Sequence, residues 1–289
     1  MKRLAAGRLC ESFGLSVQRA LKLVELQRSS FYYKPKTLRD DSKVIERMKS
    51  LVEKHKNMGL MMMHDILKRE GLVINRKRTW RIYQEQGLSL KVRKRPKRTS
   101  VVRLKLPEAT RPNERWSMDF VQGVLWQGRR IRMLTVVDQF TKECPVIEVD
   151  TSLNGLRVSR VLECLSMTRG LPESITVDNG PEFAGMTLDR WAYTRSVKLN
   201  FIRPGKPVEN AFIESFNGRL RQECLNQHHF LDMEEARRTI EEWRVNYNDF
   251  RPHRSLDGMT PEAFTRQWQT ENNNQNTQKL SLEPVQFKG

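Results

Sequence analysis

A chain of 289 residues is long enough for one large domain or two of ordinary size and can bury a core unaided. With 38% hydrophobic and 30% charged residues it has no run approaching the ~20 apolar residues of a membrane span. Its first fourteen residues, MKRLAAGRLCESFG, lack the apolar stretch of a signal peptide, which points to the cytosol. The formal charge of +18 is unevenly placed: residues 1–100 carry 26 basic and 9 acidic side chains, net +17, and the remainder is almost neutral. So concentrated a positive field suits phosphate neutralisation and points to a nucleic-acid partner. Cys10, Cys144, Cys164 and Cys224 are too scattered for a disulfide framework or a structural zinc set.

In chain order, residues 14–33 predict short helices with Ser16 and Ser29 as N-caps. From Ser42, the residues Ile45, Met48, Leu51 and Val52 share a helical face, and Asn57 and Gly59 break the pattern. A second helix is predicted from about Met61 to Arg69. After the turn EGLVIN, Asn75 caps a third, RKRTWRIYQEQG, ended by Gly87, with Trp80 and Tyr83 turned inward. Helix, short turn and a helix opening on Arg76-Lys77-Arg78 is a helix-turn-helix pattern, so Arg76, Lys77, Arg78 and Arg81 are candidate DNA contacts. The run KVRKRPKR at 91–98, followed by Pro107 and Pro112, reads as an extended basic linker. In it Lys94, Arg95, Lys97 and Arg98 are candidate phosphate contacts. The expected organisation is a helical region over 1–90, a linker over 91–112 and a second domain over 113–269.

After Arg115 the periodicity shortens. WSMDFVQGVL, RRIRMLTVVDQF and ECPVIEVD predict an antiparallel meander. A helix over about 157–169, a strand SITVDNG, a helix over about 187–196, a strand KLNFI and a helix over about 209–223 follow. The last predicted helix, Met233 to Asn248, has Ile240, Trp243 and Tyr247 on one stripe. Three strands and then alternation of helix and strand predict an α/β mixed sheet flanked by helices. The polar, low-complexity tail from Thr270 reads as disordered.

Three acids stand out. Asp119 lies in an apolar strand between Met118 and Phe120, where burial without a partner is costly. Asp178 ends the strand Ile175-Thr176-Val177, and ligand sites gather at the carboxyl ends of strands. Glu214 lies on a helix whose predicted buried stripe is Phe212, Phe216 and Leu220, so it projects elsewhere, in company with Asn210, Asn217 and Arg221. Taken singly, Asp178 could be a turn former, Glu214 an exposed helix acid and Asp119 the partner of an arginine. Asp138, also at a strand end, is a competing acid.

Asp119 in RWSMDF, Asp178 in TVDNGPEF and Glu214 in PGKPVENAFIESFNGRLRQECLN, with 35 residues between the last two, resemble the catalytic core of retroviral-integrase-like (DDE) transposases. More narrowly they resemble bacterial insertion-sequence transposases encoded by a second reading frame. The likeness runs from about Asn113 to Gln267 and includes YNDFRPHRSLDGMTPEAF, while residues 43–90 resemble that family's helix-turn-helix domain. The resemblance implies a ribonuclease-H-like fold preceded by an all-helical helix-turn-helix region, and a catalytic triad of Asp119, Asp178 and Glu214. It implies two Mg²⁺ ions held by those carboxylates, with Mn²⁺ as a substitute, and cleavage at element ends followed by strand transfer into target DNA. The implied partners are double-stranded DNA, further copies of the chain in a synaptic complex and an upstream-frame product. Two features depart from relatives. His55 and His64 have no paired cysteines, so no zinc is expected, and Met61-Met62-Met63 stand where relatives carry an arginine pair. A plain metal nuclease on this fold would leave the basic region unexplained, and a non-catalytic DNA-binding regulator would leave the three acids unexplained.

Overall fold

A computed structural model describes residues 2–33, 40–90, 108–203 and 210–282, with side chains through Asn273. The expected contacts Lys94, Arg95, Lys97 and Arg98 fall outside the described residues. Packing divides the chain into two units, 1–43 and 44–289.

The first unit holds α1 (Lys2–Phe13), α2 (Val17–Leu23) and α3 (Arg28–Tyr32). The Ser16 hydroxyl caps α2 by accepting from Arg19 N. α3 starts from extended Gln27, which leaves Ser29 inside the first turn instead of at the cap. α1 has no apolar stripe to announce it: of its residues only Ala6 is buried.

The second unit opens with α4 (Ser42–Lys54), α5 (Leu60–Arg69) and α6 (Arg76–Glu85). Val44, Met48, Leu51, Met63, Ile66, Leu67, Ile82 and Tyr83 form their common core. Met63 is fully buried there, as a flexible apolar filler. Asn75 caps α6 through Lys77 N at 2.8 Å, and Gly87 ends it at φ +65°. These helices pack on the rest of the unit through Asn57, which donates to Gln222 O at 2.8 Å, and Arg69, whose guanidinium lies 5.3 Å from the Phe250 ring.

A five-stranded sheet of order β3-β2-β1-β4-β5 follows. β1 (Arg115–Val124), β2 (Arg130–Asp138) and β3 (Val146–Asp150) form the meander, and β4 (Ser174–Val177) and β5 (Lys198–Phe201) add parallel to β1. Alternation along β1 separates two cores. Trp116 and Met118 face α7 (Gly155–Arg169) and α8 (Met186–Thr194) with Leu134, Val136, Ile175 and Val177. Val121 faces α9 (Ala211–Leu220) and α10 (Met233–Asp249) with Ile131, Met133 and Val137.

Two elements differ from expectation. α9 does not run on to 223 as one α-helix; it widens at Arg221–Leu225 into a π-helical turn that buries Cys224. The segment from Thr270 is not disordered throughout, because α11 runs from Pro261 to Leu282. Thr260 holds its first turn by accepting from Ala263 N, and a helix once nucleated propagates through polar residues of moderate propensity. Among the described residues no helix is long and apolar enough to cross a membrane.

Candidate active site

Odd positions of β1 face α9, so Asp119 joins Ser117 and Val121 on that side. On β4 the same alternation turns Thr176, and Asp178 just beyond it, toward α9, because Ile175 and Val177 occupy the opposite core. The parallel register pairs Ser117 with Thr176. The ladder ends there; Asp119 and Asp178 each stand two residues further along their chains, Asp178 just past the end of β4, near enough for its charge to act on Asp119. Beneath them lies a polar floor the sequence does not announce: buried Gln139 donates through Nε2 to Ser117 Oγ at 2.8 Å and lies 3.4 Å from Thr176 Oγ1.

The third acid arrives on α9. The buried arc of this helix is Ile213, Phe216, Asn217 and Leu220, and Phe212 is displaced to its edge beneath the Lys142 ammonium. The expected stripe through Phe212 is therefore corrected: Ile213 takes the core position, which turns the helix toward Asn217. Asn210 and Asn217, expected on an open polar face, are only 4% and 7% exposed. Asn217 instead donates from Nδ2 to Asp119 Oδ2 at 2.8 Å, and its Oδ1 lies 2.9 Å from the Thr135 hydroxyl. Thr135 is the cross-strand partner of Asp119 and is also 3.1 Å from its backbone oxygen. One turn before Asn217 on the same side is exposed Glu214, and one turn after is exposed Arg221, 3.4 Å from Gln122 O.

The electrostatics tie these acids together. Burial holds the Asp119 carboxyl above its usual range; the Phe120 N–H at 2.7 Å and the Asn217 amide oppose this, while the charges of Asp178 and Glu214 push it further up. Asp178 Oδ1 accepts from Gly180 N at 3.0 Å, so the turn-former reading is also met. Asp138 stands apart. It points to the other face of the sheet and is fully buried, accepting from Phe140 N, Thr141 N and Asn113 N at 2.8, 3.1 and 2.9 Å with Arg169 3.5 Å away.

Among the described residues no three His, Cys, Asp or Glu close into a ready-made metal cage. The donor set still suits a hard cation. Mg²⁺ is held by one or two carboxylates with waters and substrate phosphates, and three acids with nearby like charges are relieved by a cation.

On α6, Arg76, Lys77 and Arg81 are exposed and Arg78 is half-buried. Trp80, expected inward, is 54% exposed and lies among them, because Thr79, Ile82 and Tyr83 already fill the inner face.

A central mixed sheet with acids on adjacent strands and a third on the covering helix defines an integrase-type core behind a helix-turn-helix region. The integrase core domain family matches residues 109–207 and again 195–261, and the HTH-like domain family matches residues 39–96. The 31.7 kDa protein of insertion element IS407 from Burkholderia multivorans is 43% identical over 88% of this chain and 92% of its own length. The 39.2 kDa protein of IS476 from Xanthomonas euvesicatoria is 38% identical, covering 94% of this chain and 79% of its own. InsK of IS150 from Escherichia coli K12, named as a transposase, is 28% identical over 86% and 92%. In fold, a chain of the simian T-cell lymphotropic virus intasome superposes with a TM-score of 0.51 at 15% identity, covering 76% of this chain and 74% of that one. The chain belongs to the insertion-element transposases built on the integrase core, which are DDE-type polynucleotidyl transferases.

Proposed function

We propose that Asp119, Asp178 and Glu214 are the catalytic carboxylates of a DNA strand-transfer reaction and hold two Mg²⁺ ions, with Mn²⁺ able to replace them. The observation that supports this reading is that Asp119, two residues past the Ser117–Thr176 pairing of parallel neighbours, feels the charges of both Asp178 and Glu214. When bound, the metal activates the attacking oxygen and neutralises charge on the leaving oxygen. The protein's own work is positional. Asn217 fixes one oxygen of Asp119, Gly180 N fixes one oxygen of Asp178, and exposed Glu214 is left free to swing toward the substrate. Arg221, on the same side of α9, offers a guanidinium fork to a backbone phosphate.

In the first step a water oxygen bonds to phosphorus at the element end as the bond to the 3′ oxygen breaks, leaving a free 3′-hydroxyl. In the second, that hydroxyl bonds to a target phosphorus and displaces the 3′ oxygen there, the proton it loses being matched by one gained on the departing oxygen, which leaves as a hydroxyl. Element ends are held by α6 through Arg76, Lys77, Arg81 and Trp80, and paired ends bring further copies of the chain together. DNA carrying the sequences that flank the coding region, incubated with the protein and Mg²⁺, tests this. Asp119→Asn, Asp178→Asn and Glu214→Gln should each abolish cleavage and joining while retaining DNA affinity. Wild-type cleavage by any one of them would overturn the assignment.

A further inference from the structure

The turn after Asp178 is fastened from a direction the triad does not explain. Gly180 O accepts from Phe183 N at 3.0 Å and Ala184 N at 2.9 Å, closing the turn on itself. A side chain at Gly180 would come within 3.0 Å of Asp178 Oδ1 and 3.3 Å of Glu182 Oε2, so the two carboxylates flank this glycine. Left alone, Glu182 would be a fourth negative charge beside the acid cluster. Instead it is paired: Arg132, on β2, donates from Nη1 to Glu182 Oε1 at 2.5 Å. Arg132 is itself fixed, its guanidinium carbon 4.4 Å from the Phe120 ring centroid, and Phe120 stacks at 4.7 Å and 12° on fully buried Phe183. Both partners are largely shielded, with side chains 28% and 21% exposed. Phe120 directly follows Asp119, so the same stack links the strand of one acid to the turn of the other.

We propose that Arg132 and Glu182 form a positioning pair for Asp178. By tying the 178–184 turn to β2 and neutralising the Glu182 carboxylate beside Asp178, the pair sets where the Asp178 carboxylate stands for a divalent cation. This rests on the reading of Asp178 as a metal-holding residue. A merely structural ion pair would change thermal stability; a positioning pair also changes metal affinity, where supporting residues outside the ligand set typically account for 10–100-fold.

The test is Mn²⁺ binding to the full chain, measured by titration calorimetry for wild type, Glu182→Gln, Arg132→Lys, the exchange Arg132→Glu with Glu182→Arg, and Asp178→Asn. Glu182→Gln is nearly isosteric and keeps the fold, and should weaken Mn²⁺ binding about tenfold or more. Arg132→Lys retains charge without the fork and should fall between that variant and wild type. The exchange should recover most of the loss. Wild-type Mn²⁺ affinity in folded Glu182→Gln, with binding lost in Asp178→Asn, would overturn the positioning pair and leave the triad standing. Unchanged affinity in Asp178→Asn would overturn both.

Discussion

Replacing Asn217 by alanine separates a residue that holds a carboxylate from one that touches DNA. In the folded protein Asn217 Nδ2 donates to Asp119 Oδ2 at 2.8 Å, and the Thr135 hydroxyl lies 2.9 Å from Asn217 Oδ1. Thr135 has a fallback in Asp119 O at 3.1 Å, so its hydroxyl stays satisfied after the change. Asp119 loses a donor to a charged, half-buried oxygen, an interaction of roughly 1.5–3 kcal/mol, and truncation of a side chain only 7% exposed adds a small cavity term. A loss of about 2–4 kcal/mol in urea unfolding is expected. The sign of the second effect follows from the proton. Asp119 already sits above its usual range through burial, and losing a donor raises it further, so on the proposed metal assignment more Mg²⁺ is needed to deprotonate and occupy the site. The midpoint of the Mg²⁺-dependent rise in Tm should move to higher concentration while affinity for duplex DNA stays within twofold. A variant with wild-type stability and Mg²⁺ response but weakened DNA binding would refute this reasoning and return Asn217 to the DNA face.

Asp138→Asn should cost about 2–4 kcal/mol by urea titration, since its amide cannot serve the three backbone N–H groups and Arg169 that the carboxylate serves; a loss under 0.5 kcal/mol would contradict a structural role. His253, 4% exposed and near Arg251, Arg219 and Lys142, has its imidazole held down to about 3 by burial first and those charges next. The unfolded chain therefore binds a proton that the folded chain refuses between about pH 6.5 and pH 3, and stability falls as pH drops through that window by at most about 1.4 kcal/mol per unit from this group. His253→Gln should flatten that part of the urea midpoint against pH, and parallel curves would exclude the effect. Phe216→Ala should destabilise by roughly 3–5 kcal/mol, because the ring is 1% exposed and packs edge-to-face on Trp243 and Tyr247 at 5.5 and 4.9 Å. Arg221→Ala should leave unfolding unchanged and reduce the salt slope of duplex binding by about one, and an unaltered slope would remove Arg221 from the phosphate contacts.

What the sequence discloses of this fold follows from which physical signals are local. Alternation in RWSMDF and SITVD gives both strands and, with them, the face on which Asp119 and Asp178 stand, because a period of two needs no partner to be read. Exclusion of Asp138 is not local. It sits at a strand end as Asp178 does, and only the face it points to and its backbone donors tell them apart. The expected burial of Trp80 and of Phe212 fails for a related reason. An apolar residue on a helix is read as inward until the inner face is counted full, and Thr79, Ile82 and Tyr83 fill it; on α9, Ile213 outcompetes Phe212 for the core.

Asn217 shows where composition misleads most directly. An asparagine three residues after Glu214 reads as part of an exposed polar face, since amides are seldom buried. Burial becomes affordable only when both ends of the amide find partners, and those partners, Asp119 and Thr135, lie 98 and 82 residues away in sequence. The same holds for Glu182, which reads as an ordinary turn acid until Arg132, 50 residues earlier, is seen against it. The three acids are legible as candidates because Asp119 interrupts an apolar strand, Asp178 follows the end of one and Glu214 lies off the buried face of its helix. Asn217, Arg132 and Glu182 are not, because each of their contacts is defined by a pair whose second member lies on another element far along the chain.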